Sequence, residues 1–413
     1  MYELKLTNEQ KILLYLTAKS ISETPDKLKI DESVFENANW QEIIEEAKIH
    51  TVPLATFDAV TEHKNHVPQD LYERWKRMAM SVLSSDYVVV QSQIELDELM
   101  NGKYPYAILK GMAAGAYYPK PELRALGDVD FLIDPTKQAE LEEFFKNAGY
   151  EMSQGDHPNH VVFRKTGAHL EMHFAVAGVP YGWQGEKVQA FLKETIFHPI
   201  IRDVEGSRFP APTDMEHGLV LLLHMQHHMV GDGLGLRHLS DWATYVAKTY
   251  KESYWEESLI PFLKEIGLYT YAAVMTKVCV KYLQIPCPTW AEEADDETCD
   301  EVMHDILCSG NFGRKDENRA QSGMLISERG KGGMKHGALY NLAHSLHKAI
   351  SRMRVVKKYP ILYPFIYVYK AVRFLVLSLF GKRPSLIKMA PEAQKRKSVY
   401  EKLAVFEAAR KEK

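Results

Sequence analysis

The sequence predicts an α+β protein in which a small mixed sheet lies between helical regions. Four short runs of β character, YAILKG, DVDFLID, HVVFRK and HLEMHF, fall within residues 104–174. Among them, LEEFFKNAGY has the pattern of a helix closed by Gly149. Apolar residues recur at helical spacing before this stretch, in residues 6–100, and again from residue 213 onward. The strands are therefore expected to form one compact unit, with helices on both sides of it in the chain.

The helical regions carry start and stop signals. Thr7 and Gln10 form a capping box ahead of an apolar run, and Thr213 and Glu216 form a second box ahead of HGLVLLLHMQHHM. Residues 68–101 keep helical periodicity without an interior Gly or Pro. Three glycines then end the helix of the second box before RHLSDWATYVAK starts the next helix: Gly231, Gly233 and Gly235.

Composition and pattern divide the chain into five predicted segments. They are an N-terminal helical region, an α/β core, a helical domain, a glycine-rich loop and a basic helical tail. Their predicted bounds are 1–100, 101–210, 211–308, 309–346 and 347–413.

Charge is distributed unevenly along the chain. The formal net charge of −4 gives no overall attraction to nucleic acid or acidic membrane, and no DNA partner is expected. Yet residues 348–413 contain 17 Lys+Arg against 4 Asp+Glu, a net charge of +13, which leaves −17 on the remainder. Such a basic tail can be a solvated arm, dock onto the body of the protein or make a peripheral contact with an anionic surface.

Two further features bear on cellular context. The four cysteines form no CxxC pair, which argues against zinc ribbons and thioredoxin-like redox motifs. The first ten residues, MYELKLTNEQ, are polar and lack the apolar core of a signal peptide, so a cytoplasmic location is expected.

The run Tyr359–Phe380 is long enough to span a membrane, but Lys370 and Arg373 lie just past its centre and would be costly there. A helix packed on the body is the favoured interpretation, and a membrane-peripheral helix at the interface is the alternative.

The chemistry is concentrated between residues 108 and 174. Asp128 and Asp130 alternate with Val129 ahead of an apolar run, so in a strand both carboxylates point to the same face. Two carboxylates side by side repel unless a cation lies between them, and Mg²⁺ prefers such oxygen ligands. Glu171 is a third carboxylate within an apolar strand pattern. Upstream, Lys110 and Gly111 end another strand in a turn whose backbone N–H groups suit a phosphate. A solvated strand rim is the competing interpretation of the acid pair.

These features together resemble the nucleotidyltransferase superfamily related to DNA polymerase β, and more closely the bacterial uncharacterised nucleotidyltransferase family proteins. The resemblance covers roughly residues 100–370. It rests on Leu109-Lys110-Gly111, Tyr118-Pro119, Arg124, Asp128-Val129-Asp130, Leu170-Glu171-Met172-His173, Leu223-His224 with His228, GLRHLSD (235–241), Asn311-Phe312-Gly313-Arg314, Tyr359-Pro360 and Tyr363-Pro364.

The resemblance implies a polymerase β-like core and transfer of a nucleoside monophosphate from an NTP such as ATP to an unknown acceptor. It implies that Asp128, Asp130 and Glu171 are the catalytic and metal-binding residues, with Mg²⁺ or Mn²⁺ as cofactor. Glu171 would be a ligand or the general base. Lys110, Gly111 and Arg124 would contact the nucleotide. The chain departs from the family pattern at Met112, where a small polar residue is usual.

Two other functions remain open at this point. A catalytically silent nucleotide-binding or scaffold protein of the same fold is motivated by Met112. A toxin-like nucleotidyltransferase acting on RNA or protein is motivated by the basic tail, although no aromatic-basic RNA-binding motif accompanies that tail.

Two residue pairs on helices are expected to have structural roles. His224 and His228 lie at i,i+4 and could share a metal, but without an HExxH pattern packing or hydrogen bonding is favoured. Arg237 and Asp241, also at i,i+4, are expected to form a structural pair on their helix.

Overall fold

The computed structural model describes most of the chain. Described are residues 2–154, 159–180, 182–251, 253–316, 353–379 and 386–407, together with positions 319, 326, 343, 346–347 and 350–351. Most of the predicted glycine-rich loop 309–346 and the last six residues of the tail therefore lie outside the described residues.

A five-stranded mixed sheet forms the centre of the fold, which confirms the predicted α+β class. Each of the four predicted β runs supplies one strand, and the order across the sheet is β1-β2-β5-β4-β3. The β2–β5 pair is parallel and the other three pairs are antiparallel. A separate hairpin pairs β6 with β7. The strands are β1 (Tyr106–Ile108), β2 (Val129–Ile133), β3 (Glu151–Gln154), β4 (His160–Lys165), β5 (Ala168–His173), β6 (Ile200–Val204) and β7 (Ser207–Ala211).

The sheet separates two hydrophobic clusters. Val129, Phe131 and Ile133 of β2 point into a core shared with residues of helices α4 (Gln69–Met100) and α6 (Gln138–Asn147). Leu132 points the opposite way, into a larger core formed mainly by helices from both ends of the chain. Because side chains alternate along a strand, Asp130 lies on the same face as Leu132. The acids are therefore placed at the boundary between the sheet and the helical core.

Several helix ends lie where local signals predict them. Both capping boxes are present, with Thr7 capping α1 and Thr213 capping α8. Helix α8 ends at Val230 and α9 begins at Leu236, after the predicted glycines. The helices are α1 (Asn8–Ile21), α2 (Trp40–Ile49), α3 (Pro53–Val60), α4 (Gln69–Met100), α5 (Met112–Gly115), α6 (Gln138–Asn147), α7 (Trp183–Lys193), α8 (Asp214–Val230), α9 (Leu236–Thr249), α10 (Ile260–Ile266), α11 (Tyr269–Leu283), α12 (Asp296–Ser309), α13 (Arg354–Lys358), α14 (Tyr363–Leu379) and α15 (Leu386–Lys402).

The two long helices of the basic tail behave differently. Helix α15 docks on the body, where Arg396 donates a 2.9 Å hydrogen bond to the carbonyl of Val230 and Tyr400 is 1% exposed. Helix α14 has no fully buried side chain among those described, and Phe365 is 69% exposed. Because its described side chains are half-buried or exposed, packing of this helix on the body stays a prediction. Within the described part of the chain, no helix has the length and apolar character needed to cross a bilayer.

Candidate active site

Parallel pairing of β2 with β5 brings the predicted acids together. The register sets Asp130 directly beside Glu171. Asp128 comes immediately before β2, and Asp128, His169 and Glu171 each present a possible ligand atom within 4.8 Å of the other two. Asp128 and Glu171 are half-buried and Asp130 is 3% exposed. Three carboxylates that are 43 positions apart at most thus share one face of the sheet, which we call the acid face.

Asp130 is held in its charged form by two cationic partners. Lys110 Nζ and His173 Nε2 each lie 2.8 Å from Oδ1 of Asp130. Burial alone would raise the pKa of this carboxyl, but Lys110 and His173 outweigh it and lower the pKa well below its ordinary range. The same contacts to Asp130, with Glu171, raise the pKa of His173 against the opposing effect of burial. Asp130 is therefore ionised across the physiological pH range.

The pKa of Asp128 is shifted in the opposite direction from that of Asp130. Burial and the negative charge of Asp130 raise the pKa of Asp128 to about 7, although Lys110 partly offsets them. A carboxyl whose ionisation is opposed by a neighbouring carboxylate is stabilised in its charged form by a cation. The oxygen donors of Asp128 and Glu171, which lie within 4.8 Å of each other, suit a hard divalent ion such as Mg²⁺ or Mn²⁺, and the strand register places Asp130 beside Glu171.

Histidines surround Glu171 on the acid face, and sequence reasoning did not assign them to the site. His160 Nδ1 lies 3.7 Å and His173 Nε2 3.6 Å from Oε2 of Glu171, while His169 Nε2 lies 3.9 Å from Oε1. The pKa of Glu171 is lowered, because His173 and His160 outweigh the effect of burial. His169 and His173 could have been found from their alternation with Glu171. His160 reaches the site only through the antiparallel register that pairs it with His173, which the sequence pattern does not show.

The turn after β1 places Lys110 and Gly111 at the site. The backbone N–H of Leu109 donates a 2.9 Å hydrogen bond to the carbonyl of Asp130, which extends the strand pairing up to this turn. Gly111 has φ of +59°, a backbone conformation that favours glycine. Met112 points inward and is 7% exposed in the sheet core. A larger apolar residue is accommodated here because its side chain packs under the sheet, away from the acid face.

Arg124 takes a different place from the predicted phosphate contact. Its Nε and Nη2 donate to the two carboxylate oxygens of Asp241 at 2.8 and 2.9 Å, and both residues are almost fully buried. Tyr118 donates a further 2.8 Å hydrogen bond to Asp241. Asp241 therefore pairs with Arg124 rather than with Arg237, which corrects the predicted helical pair. Arg237 instead donates to the carbonyl of Ala125 at 3.3 Å. A nucleotide contact by Arg124 stays a prediction, and the geometry favours a structural role.

A buried carboxyl of α4 supports the segment before the acids. Asp86 is 6% exposed and accepts a 2.8 Å hydrogen bond from the backbone N–H of Leu126. Burial raises the pKa of Asp86 to about 7, partly offset by this hydrogen bond and by the positive charges of Arg124 and Arg237.

A small mixed sheet with three acids on one face, flanked by helices, defines a nucleotidyltransferase-type core. The chain belongs to the family described as "Uncharacterised nucleotidyltransferase", whose model matches residues 36–284, more than half of the chain. All six predicted site residues fall within that match. No curated protein and no solved structure matches the chain significantly. Family membership supports a transferase-type enzyme acting on nucleotides.

Proposed function

We propose that the protein is a metal-dependent nucleotidyltransferase that moves a nucleoside monophosphate from an NTP to an acceptor, with release of pyrophosphate. The observation that carries the proposal is the parallel β2–β5 register. It aligns Asp130 with Glu171 and brings carboxylate oxygens of Asp128 and Glu171 within 4.8 Å of each other. Lys110 lies beside Asp130 at the same place. The acceptor is a small molecule, a glycan precursor, a peptide or a protein.

Asp128, Asp130 and Glu171 are the residues that would hold Mg²⁺ or Mn²⁺. Such an ion, when bound, polarises a phosphoryl oxygen and neutralises charge on the departing pyrophosphate. Asp130 is already ionised without a cation. Asp128 would lose its proton when a cation binds, because its pKa of about 7 results from burial and from the neighbouring charge of Asp130.

The remaining groups position the substrates. Lys110, with a side chain 16% exposed, offers a compact positive charge to a phosphate beside the acids. Glu171 is ionised at neutral pH, because its neighbouring histidines lower its pKa. It can therefore serve as a ligand or accept the proton of the attacking hydroxyl. The backbone at Gly111 turns the chain toward the acid face, where N–H groups can meet a phosphate.

Binding of nucleotide tests the proposal without knowledge of the acceptor. Thermal unfolding is measured with ATP, CTP, GTP and UTP, each with and without Mg²⁺, for the wild type and for D128N/D130N. A ligand that binds the native state raises the melting temperature by mass action. We expect a Mg²⁺-dependent rise with at least one NTP in the wild type and none in the double variant.

The matched control is Asp134→Asn. Asp134 follows the same strand but is turned away to cap the next turn, where it accepts a 2.9 Å hydrogen bond from the N–H of Thr136. It should keep the nucleotide shift. Absence of any shift in the wild type would favour a catalytically silent scaffold of the same fold. A shift that survives in D128N/D130N would place nucleotide binding elsewhere.

A further inference from the structure

Three histidines from helices α8 and α9 converge on one point. His224 and His228 are four residues apart on α8, so they share one side of the helix, and their ring centroids lie 4.4 Å apart. His238, in the first turn of α9, has its ring centroid 5.1 Å from that of His224 and 5.2 Å from that of His228. Each residue presents a ring nitrogen within 4.8 Å of those of the other two. We call this group the histidine cluster.

The cluster holds buried nitrogen atoms that packing alone does not explain. Among the described residues, Nδ1 of His228 and Nε2 of His238 are buried without a hydrogen-bond partner. His238 is 1% exposed, and its Nδ1 accepts only a long 3.4 Å hydrogen bond from the N–H of Gly235. A buried polar atom left unpaired destabilises the folded state. Two such atoms occur in a group of three rings whose nitrogens lie within 4.8 Å of one another, which points to a ligand at this group.

The three rings are neutral at physiological pH. Burial, assisted by the positive charges of Lys110 and Arg237, holds the pKa of all three well below the ordinary histidine value. Neutral imidazole is the form that binds metals, so protons do not compete for these nitrogens near neutrality.

Phe312 covers the cluster on one side. Its ring centroid lies 4.8 Å from that of His228 and 5.6 Å from that of His238, and the side chain is 44% exposed. Its N–H donates to the carbonyl of Gly233, which ties it to the turn between the two helices. Phe312 has φ of +53°, a costly conformation for a bulky residue. An apolar cover of this kind limits solvent access to a metal site.

We infer that His224, His228 and His238 bind one divalent transition-metal ion of the zinc type. Nitrogen donors suit Zn²⁺ and Co²⁺, whereas Mg²⁺ takes oxygen ligands, so this site differs in chemistry from the acid face. Three protein ligands leave a fourth position for water or a substrate atom. The positive charges of Lys110 and Arg237 favour an anionic fourth ligand, such as hydroxide or a phosphate oxygen.

Binding requires small side-chain adjustments. Zn–N bonds of about 2.0–2.1 Å bring the ligand nitrogens closer together than they now lie, which ring rotations can achieve. Coordination through His238 also ends the 3.4 Å contact with Gly235, either by replacing it at Nδ1 or by moving the ring proton from Nε2 to Nδ1.

Cobalt titration tests the inference without reference to enzymatic activity. The full chain is treated with a chelator, dialysed and titrated with CoCl₂ in the presence of excess Mg²⁺, and visible ligand-field absorption is followed. We expect one tightly bound Co²⁺ per chain. In H228Q and H238Q its affinity should fall by more than about 100-fold, which exceeds the 10–100-fold effect typical of outer-shell changes.

Two control variants locate the metal. His227→Gln changes an exposed histidine on the same helix, and D128N changes the acid face; both should keep Co²⁺. Circular dichroism confirms that each variant is folded, and H224Q replaces any variant that is not. X-ray absorption of the zinc-loaded wild type should show three imidazoles. The inference is overturned by the absence of bound Co²⁺, by retention of Co²⁺ in H228Q and H238Q, or by its loss in D128N.

This inference does not depend on the proposed function. If the histidine cluster binds metal but no nucleotide raises the melting temperature, only the proposed nucleotidyl transfer is contradicted. If a nucleotide raises the melting temperature but the cluster binds no metal, only the histidine site is contradicted.

Discussion

The acid face and the histidine cluster are two donor groups with opposite electrostatics. The acid face gathers three carboxylates, and their repulsion is offset by Lys110 and His173. The histidine cluster gathers three neutral rings, on which the charge of the same Lys110 acts. One group is built from neighbouring strands and the other from two helices and the turn between them. The comparison teaches that one charged residue, Lys110, influences two groups whose oxygen and nitrogen donors would favour different cations.

The largest expected effect concerns the acid face. Asp130→Asn removes the carboxylate that both Lys110 and His173 contact, and with it charge that a bound cation requires. Once a transferable NTP is identified, the rate of nucleotidyl transfer should fall by about 10²–10⁴-fold, corresponding to several kcal/mol of lost transition-state stabilisation. Steady-state assays with an α-labelled NTP measure this loss.

Asp134→Asn is the control for that prediction and should stay close to the wild-type rate. A D130N enzyme of wild-type rate would show that the acid face is not the reaction centre, and would remove the chemical contrast between the two groups.

The ion pair of Arg124 with Asp241 clamps the two regions together. Arg124 precedes the acids by four residues, and Asp241 follows His238 by three on α9. Asp241→Ala would leave a buried guanidinium unpaired, so the free energy of unfolding should fall by about 3–5 kcal/mol. Urea denaturation followed by circular dichroism measures the change.

Asp58→Ala is the matched control, because Asp58 pairs with Lys120 at 2.8 Å on the surface, with both side chains more than a third exposed. Its loss should cost less than about 1 kcal/mol. Equal losses in D241A and D58A would contradict the clamp.

A smaller effect is expected from the orienting histidine of the acid face. His173→Gln replaces the ring whose Nε2 lies 2.8 Å from Asp130. Groups that orient a ligand typically contribute 10–100-fold to metal affinity, and we expect a loss in that range for Mn²⁺, measured by isothermal titration calorimetry. His198→Gln, at a histidine side chain 80% exposed, should leave Mn²⁺ affinity unchanged. If both variants bound Mn²⁺ as the wild type does, His173 would have no orienting role.

The smallest effect concerns Asp86, which supports the segment before the acids. Because its pKa of about 7 in the folded chain lies above its ordinary value, the folded state binds more protons than the unfolded state between these pH values. The free energy of unfolding therefore falls as pH rises through this range. Asp86→Asn removes that dependence, so between about pH 5 and about pH 7 its stability relative to the wild type should rise by about 1–2 kcal/mol.

Denaturation curves of the wild type and D86N at the two pH values test this prediction. Asp128 contributes a slope of the same sign to both proteins, so the difference between them isolates Asp86. A difference that does not change with pH would contradict the raised pKa of Asp86.

Much of the fold could be read from local pattern. Strands around YAILKG, DVDFLID, HVVFRK and HLEMHF, the helix ending near Gly149 and both capping boxes all occur as predicted, because each depends on side-chain period or on a few adjacent residues. Exposed apolar side chains on α14, such as Phe365, were expected only under the alternative interpretation of an interfacial helix. Whether an amphipathic helix packs on the body depends on the surface available to it, which local pattern does not contain. The five predicted domain boundaries stay predictions.

The sequence by itself determined that Asp128 and Asp130 share a face, that Glu171 sits within an apolar strand, and that His224 and His228 share one side of a helix. Only the tertiary structure decided what these groups meet. Strand register places Glu171 beside Asp130. The turn at Gly231–Gly235 brings His238 next to His224 and His228. Arg124 forms a buried ion pair with Asp241. Period and spacing act over a few residues, whereas contacts between different strands and helices are set by which surfaces exclude water together.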